Sequence, residues 1–289
     1  MTEALTPTQQ VQRLAGRRAG LKALVLSPLA CALAWAPTDA SALETWIMPY
    51  SFRALPGQPV DTSLSDGNGL TPLSAPQRLS LRALQLVDTS GRFEPERWDR
   101  KHRLAQARFR AAAPGVACLV LSTDESEIRI TPQAVDEYLA EIQAPAAVLQ
   151  AWKQQKSRQQ PWVEHYTKEA KTYLRSGNAQ AGWPALAQIG QRLELVPQSD
   201  PTRLQAGDRL TLLLLMDGKP QGDTALRLFT GSQVDRTART DAQGMARFRL
   251  DKAGPHLVSA TLLQVPAPAE DHWTSHFATL GFGVGIGAS

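Results

Sequence analysis

Cysteine is nearly missing: two residues, Cys31 and Cys118, in a chain of 289. Cys31 lies in an N-terminal segment that reads as removable, so the mature chain keeps one thiol and no intrachain disulfide framework. Cys118 falls in the apolar run Val116–Leu121 with no basic neighbour to lower its pKa, and reads as a small core hydrophobe rather than a reactive or metal-bound thiol. Catalytic signatures are missing too. There is no G-x-S-x-G elbow, H-E-x-x-H, P-loop or cysteine-pair motif, so the expectation is no enzyme; only catalytic residues assembled from distant loops escape that test. Charge of one sign is also scarce. Of 31 basic and 27 acidic residues, the first 42 positions take four and two, which leaves a net charge of +2 and no nucleic-acid footprint. Beyond the N-terminus no hydrophobic run approaches the roughly 20 residues of a membrane-spanning helix.

Residues 1–42 carry the three parts of a secretory signal peptide. A positive stretch, Arg17-Arg18-Ala19-Gly20-Leu21-Lys22, precedes the short apolar run Leu21–Trp35 and the small-x-small end Ala40-Ser41-Ala42. The mature chain is expected to start at Leu43 and to reside in the periplasm. Arg17-Arg18 behind a long polar lead resembles a twin-arginine signal, with Gly16 and Gly20 departing from its preferred residues. Leu29-Ala30-Cys31 resembles a lipoprotein box, with Pro28 where leucine is usual.

The remaining length exceeds a usual single domain, and its most legible stretch is Gly207–Leu263. Asp208–Met216 is a β-length apolar run closed by Asp217-Gly218, a pair suited to the positive φ angles of a tight hairpin. Thr224–Thr230 alternates. Asp241-Ala242-Gln243-Gly244 then turns into Met245–Leu250, where Ala246, Phe248 and Leu250 share one face and Arg247 and Arg249 the other. Gly254-Pro255 breaks the chain before His256–Leu263. Upstream, Leu43–Val60 gives two short β pieces, Asp61–Pro76 reads as a loop, and Leu79–Asp88 as a strand. The Asp66-Gly67-Asn68-Gly69 segment lacks the closing glutamate of a calcium loop and reads as a turn. Leu104–Arg110 and Val116–Ser122 look like a hairpin. Ala107-Arg108-Phe109-Arg110 with Ala113-Pro114-Gly115 is matched by Ala246-Arg247-Phe248-Arg249 with Ala253-Gly254-Pro255, which points to two similarly built halves.

Between those halves lies helical periodicity. Thr131-Pro132 is a cap and first-turn proline, followed by Val135, Tyr138, Leu139 and Ile142, and after Pro145 by Val148, Leu149 and Trp152. A polar link, Lys153–Gln160, leads to a second expected helix with Val163, Tyr166, Ala170, Tyr173 and Leu174 on one side and Gly177 as its stop. The fold expected is mainly β: two antiparallel β-sandwich domains, Ig-like or prealbumin-like, with an inserted pair of α-helices. The boundaries are 1–42 for the signal peptide, 43–127 for the first sandwich, 128–185 for the helical insertion and 186–289 for the second sandwich.

Several segments resemble a known family. Glu44-Thr45-Trp46-Ile47-Met48-Pro49-Tyr50-Ser51-Phe52-Arg53 with Pro56-Gly57, then Tyr166–Gly177, Leu193–Pro201, Ala206-Gly207-Asp208, Asp217-Gly218-Lys219-Pro220 and Arg239–Gly244 are similar to bacterial periplasmic nickel-uptake (NikM-like) proteins, a family of otherwise unknown function. The resemblance covers nearly all of the mature chain. It implies a secreted, two-sandwich protein with a helical insertion, tied to nickel or cobalt uptake and partnered by a membrane metal transporter or outer-membrane receptor. Relatives commonly begin the mature chain with histidine; Leu43 here offers no side-chain donor, which weakens a metal site at that end.

Five histidines remain to be weighed. His256 falls in register with Val258, Ala260 and Leu262 as a core-edge residue. His102 and His165 sit among charged neighbours and read as solvated. His272 and His276, with Asp271 or Glu270 as oxygen donors, form the candidate metal site for nickel or cobalt. Four residues apart on a strand, they stand about 13 Å apart, so one shared ion needs a turn at Trp273–Ser275. The rival reading is a protein- or glycan-binding module without a metal, its aromatic platform built from Trp98, Trp162 or Trp183.

Overall fold

The computed structural model describes residues 43–76 and 80–286, so the expected signal peptide lies outside the described residues. In chain order the strands are β1 (Glu44–Pro49), β2 (Arg53–Ala54), β3 (Pro59–Asn68), β4 (Thr71–Ser74), β5 (Leu81–Asp88), β6 (Gly91–Phe93), β7 (Arg97–Arg100), β8 (Ala105–Arg110), β9 (Gly115–Thr123) and β10 (Ser126–Ile130). Helices α1 (Pro132–Glu141) and α2 (Ala146–Ser157) follow. After them come β11 (Trp162–Ser176), β12 (Leu193–Pro197), β13 (Arg209–Met216), β14 (Lys219–Pro220), β15 (Ala225–Phe229), β16 (Val234–Arg239), β17 (Met245–Arg249), β18 (Gly254–Gln264) and β19 (Trp273–Val284). The fold is mainly β and sandwich-like, with antiparallel pairing except where β11 runs parallel to β19 and to β2.

Three sheets share the described residues. A ten-stranded sheet (β16-β15-β18-β19-β11-β9-β5-β6, with β10 and β2 on β11) has a five-stranded sheet (β1, β3, β4, β7, β8) on one face and a four-stranded sheet (β12, β13, β14, β17) on the other. Strand β9 makes this legible. Val116, Cys118 and Val120 enter the core with Leu193, Leu212 and Phe248, whereas Ala117, Leu119 and Leu121 enter the core with Ile47, Leu64 and Phe109. Alternate side chains of one strand therefore fill two cores, as strand geometry requires when both faces are covered. The two sandwiches share a wall.

That shared wall corrects two expectations. Strands β8 and β9 form no hairpin: β8 pairs with β3 and β7, and β9 with β5 and β11, because the chain crosses between sheets at residues 111–114. The internal repeat has the same form, since β17 pairs in the four-stranded sheet and β18 in the ten-stranded one. The stretch 163–174, expected to be helical, is the middle of β11. Its buried polar residues break the alternation that marks a strand with one wet face. The expected loop Asp61–Pro76 is instead mostly the hairpin β3–β4, whose register shifts at Asp66/Gly67.

The helical expectation holds upstream. Thr131 caps α1, its Oγ1 accepting from the Ala134 amide at 3.3 Å. Val135, Tyr138, Leu139, Val148 and Trp152 pack both helices onto Trp162, Leu263 and Trp273, and the Trp162 and Trp273 rings stack at 4.3 Å. The Asp217-Gly218 turn adopts the positive φ angles expected, +48° and +76°, and joins β13 to β14.

Candidate functional site

The predicted metal pair is held apart along an extended strand. Trp273–Ser275, where a turn was required, is the first part of β19, extended and paired with β11 through Glu164↔Trp273, His165↔Thr274 and Thr167↔His276. His276 is fully buried; its Nδ1 shares a hydrogen bond with Thr167 Oγ1 (2.8 Å) and its Nε2 has no partner. Burial, aided by the Arg192 charge, pushes its pKa down to about 4. His272 lies four residues earlier, just ahead of β19. Its ring stacks on His165, which was expected to be solvated, with centroids 4.0 Å apart and planes 20° off parallel.

Register explains the new pair. His165 lies opposite Thr274, so His272, two residues earlier, is its diagonal neighbour. His165 Nδ1 donates to Glu125 Oε1 at 3.2 Å and its Nε2 lies 3.5 Å from Glu127 Oε2; His272 Nδ1 donates to Asp271 Oδ1 at 3.0 Å. The hydrogen bond from His272 lowers the Asp271 pKa, and one from Arg129 lowers that of Glu127. Glu270 accepts from the Ala267 amide instead of joining them. Among the described residues, no three His, Cys, Asp or Glu side chains are grouped to hold a metal ion.

The buried charges are tied up. Glu164 accepts from Trp162 Nε1 (2.8 Å), Ser275 Oγ (2.5 Å) and Tyr138 Oη (3.3 Å), and burial raises its pKa. Lys171 Nζ meets Glu194 Oε1 at 2.6 Å, both side chains 1% exposed, and Glu194 also accepts from the Ile189, Gly190 and Gln191 amides. Arg227 bridges Glu44 and Glu141. Cys118 has its thiol pushed up to about 12 by burial, in keeping with a core role.

The three tryptophans expected to form an aromatic platform pack into the fold instead. Trp162 is buried, Trp183 packs edge-on against Tyr173, and Trp98 lies against the core beneath the five-stranded sheet. Tyr50, just past β1, is 61% exposed beside a recess of about 220 Å³ lined also by Asp61, Asp99, Lys101, Gln106 and Arg108. Gln106 Nε2 donates to Tyr50 Oη (2.5 Å), and Arg108 grips Asp61 with two bonds of 2.7 and 2.9 Å, which lowers the Asp61 pKa. The residues on β3, β7 and β8 form cross-strand rows, Asp61–Arg108–Arg97 and Gln106–Asp99. Tyr50 was visible in sequence as an aromatic beside a proline, but nothing there placed it over this sheet.

No curated protein matches the chain. Solved structures similar to it include the D0-D1 domain of Intimin (11% identity, 82% of this chain and 97% of that one, TM-score 0.20). The fibronectin(III)-like modules of Clostridium thermocellum CbhA give 8% identity over 82% and 94% of the two chains, TM-score 0.20. Native alpha-2-macroglobulin from Escherichia coli, spanning domains MG0-NIE-MG1, gives 13% over 81% and 94%, TM-score 0.20. At that TM-score the likenesses bear on neither ligand nor partner. The profile of a domain of unknown function (DUF4198) matches residues 40–264, most of the length, and the chain belongs to that family.

Proposed function

We propose that this chain is an exported, non-enzymatic β-sandwich module that binds a glycan on the five-stranded sheet. The Tyr50 recess carries the reading. A sugar packs its C–H face on an aromatic ring and exchanges hydrogen bonds with planar carboxylate, amide and guanidinium groups. Tyr50 supplies an exposed ring fixed through its hydroxyl, and Asp61, Asp99, Gln106 and Arg108 supply the planar groups on rigid strands. The test is calorimetric titration of Leu43–Ser289 with soluble oligosaccharides of differing linkage. Binding that Tyr50→Phe keeps and Tyr50→Ala loses supports the reading; no binding, or binding indifferent to Tyr50→Ala, overturns it.

A second reading rests on the His165–His272 pair. Two imidazoles in contact, with Glu125, Glu127 and Asp271 beside them, are donors suited to nickel, cobalt, copper or zinc once a ring rotates to aim its nitrogen at the ion. In this reading the chain is an accessory of nickel or cobalt uptake that meets a membrane transporter or outer-membrane receptor, as the sequence resemblance implies. Here His165 takes the place first given to His276. Micromolar binding of Ni²⁺ or Co²⁺, lost in His165→Ala/His272→Ala and kept in His276→Leu, is the expected result. Flat titrations with all four ions overturn it.

A further inference from the structure

At the other end of β11, about 33 Å from His165 by strand rise, lies a recess of about 340 Å³, within the size range of small-molecule sites. Arg53, Arg175, Asn178, Thr202, Arg203 and Gln205 supply its polar lining, and among the described residues no carboxylate does. Two of the arginines are forced together. Arg53 on β2 is the direct partner of Arg175 on β11, and like charges opposite each other on paired strands oppose folding. Arg175 is neutralised within the fold: its guanidinium meets Asp200 Oδ2, Thr202 Oγ1 and the Ala179 carbonyl, leaving that side chain 5% exposed. Arg53 is not. Its guanidinium has no ion pair or hydrogen bond among the described residues, and Arg203, 51% exposed, reaches Asp200 only at 3.7 Å.

We propose that this recess binds an oxyanion, a phosphate or carboxylate group carried by a small ligand. The guanidinium fork of Arg53 matches such a group bidentately, and Arg203 supplies the second charge. The amides of Asn178 and Gln205 add donors at the rim. Only the folded chain brings Arg53 and Arg203 to one recess, so bound anion stabilises the fold by mass action.

The test is calorimetric titration of Leu43–Ser289 at low ionic strength with inorganic phosphate in one arm and succinate in another, chloride serving as control. The variants are Arg53→Gln, Arg203→Gln and the double substitution. The expected result is binding to one or both oxyanions, weakened about tenfold for each guanidinium removed and fading as salt rises. Phosphate alone assigns the site to phosphate-bearing ligands, succinate alone to carboxylates. A second readout separates binding from structure: without anion, Arg53→Gln melts no lower than the wild type, and phosphate or succinate raises the melting temperature most for the wild type, less for each single variant and least for the double variant. Absence of binding in both arms, or equal binding by the double variant, overturns the proposal. Neither the Tyr50 nor the His165 experiment bears on it.

Discussion

Acid should weaken this fold through His276, and the size of the effect follows from the site. The imidazole is fully buried between Thr167 and Leu262, with the Arg192 charge opposing protonation and those of Asp217 and Glu125 favouring it. Its pKa falls from 6.5 to about 4, whereas in the unfolded chain it returns to 6.5. Between those values the unfolded chain binds a proton that the fold refuses, so stability drops as pH falls. The gap corresponds to about 3 kcal/mol at about 1.4 kcal/mol per pH unit, present in full above pH 6.5 and lost by pH 4. His256, stacked on Phe282 and also lowered by burial, adds in the same direction. The assay is urea denaturation of wild type and His276→Leu at intervals from pH 7 to 4. Leucine strands the Thr167 hydroxyl, which costs about 1 kcal/mol at pH 7. Below pH 6.5 the variant loses stability more slowly, and the two curves cross. Comparing the two proteins at each pH cancels the carboxylates and His256. Parallel curves across the range would refute the assignment of a buried, neutral imidazole.

Glu164 gives the opposite sign. Burial raises its pKa above 4.5, so the fold keeps a proton that the unfolded chain has released, and stability is lost as pH rises through the raised value. Glu164→Gln is therefore expected to gain on wild type between pH 4.5 and 7, measured as the difference in unfolding free energy. Lys171→Met leaves Glu194 buried without its cation and is expected to cost about 3 kcal/mol, partly restored by adding Glu194→Gln, again by urea denaturation. Cys118 is expected to resist iodoacetamide at pH 8 in the native protein and to react once the chain is unfolded in urea, followed by mass spectrometry.

Strands with one wet face were legible in the sequence. In β17, Ala246 and Phe248 are buried and Arg247 and Arg249 exposed, because the four-stranded sheet covers a core on one side only. The Asp217-Gly218 hairpin was legible for a local reason, the φ angles that its two residues accept. Strand β11 was not. Covered on both faces, it carries Val163, Tyr166, Ala170, Tyr173 and Leu174 at spacings that also fit a helix, and only its neighbours decide between the two. The candidate site suffered the same way. His272 and His276 are paired by sequence, whereas the parallel register of β11 and β19 brings in His165, more than a hundred residues away, and turns His276 into the core. Arg53 and Arg175 likewise meet only through the pairing of β2 with β11.

What holds β11 in register is its set of polar side chains. An apolar pattern fixes which face of a strand is buried, but a two-residue slip leaves every side chain on its own face, so that pattern alone does not set the register. The polar side chains remove that freedom. Glu164 needs Tyr138 from α1 and Ser275 from β19; Glu169 needs Arg82 and Ser122 from β5 and β9; Lys171 needs Glu194 from β12; Arg175 needs Asp200 and Thr202. A slip of two would bring Glu169 to the place of Lys171 beside Glu194, two carboxylates with no cation between them, and would leave the Glu164 donors facing Trp162 or Tyr166. Burying an unpaired charge costs several kcal/mol, more than a slipped strand regains by apolar contact. The composition that hid β11 from periodicity is therefore the composition that fixes its place between two sheets, and with it the positions of His165 at one end and Arg175 at the other.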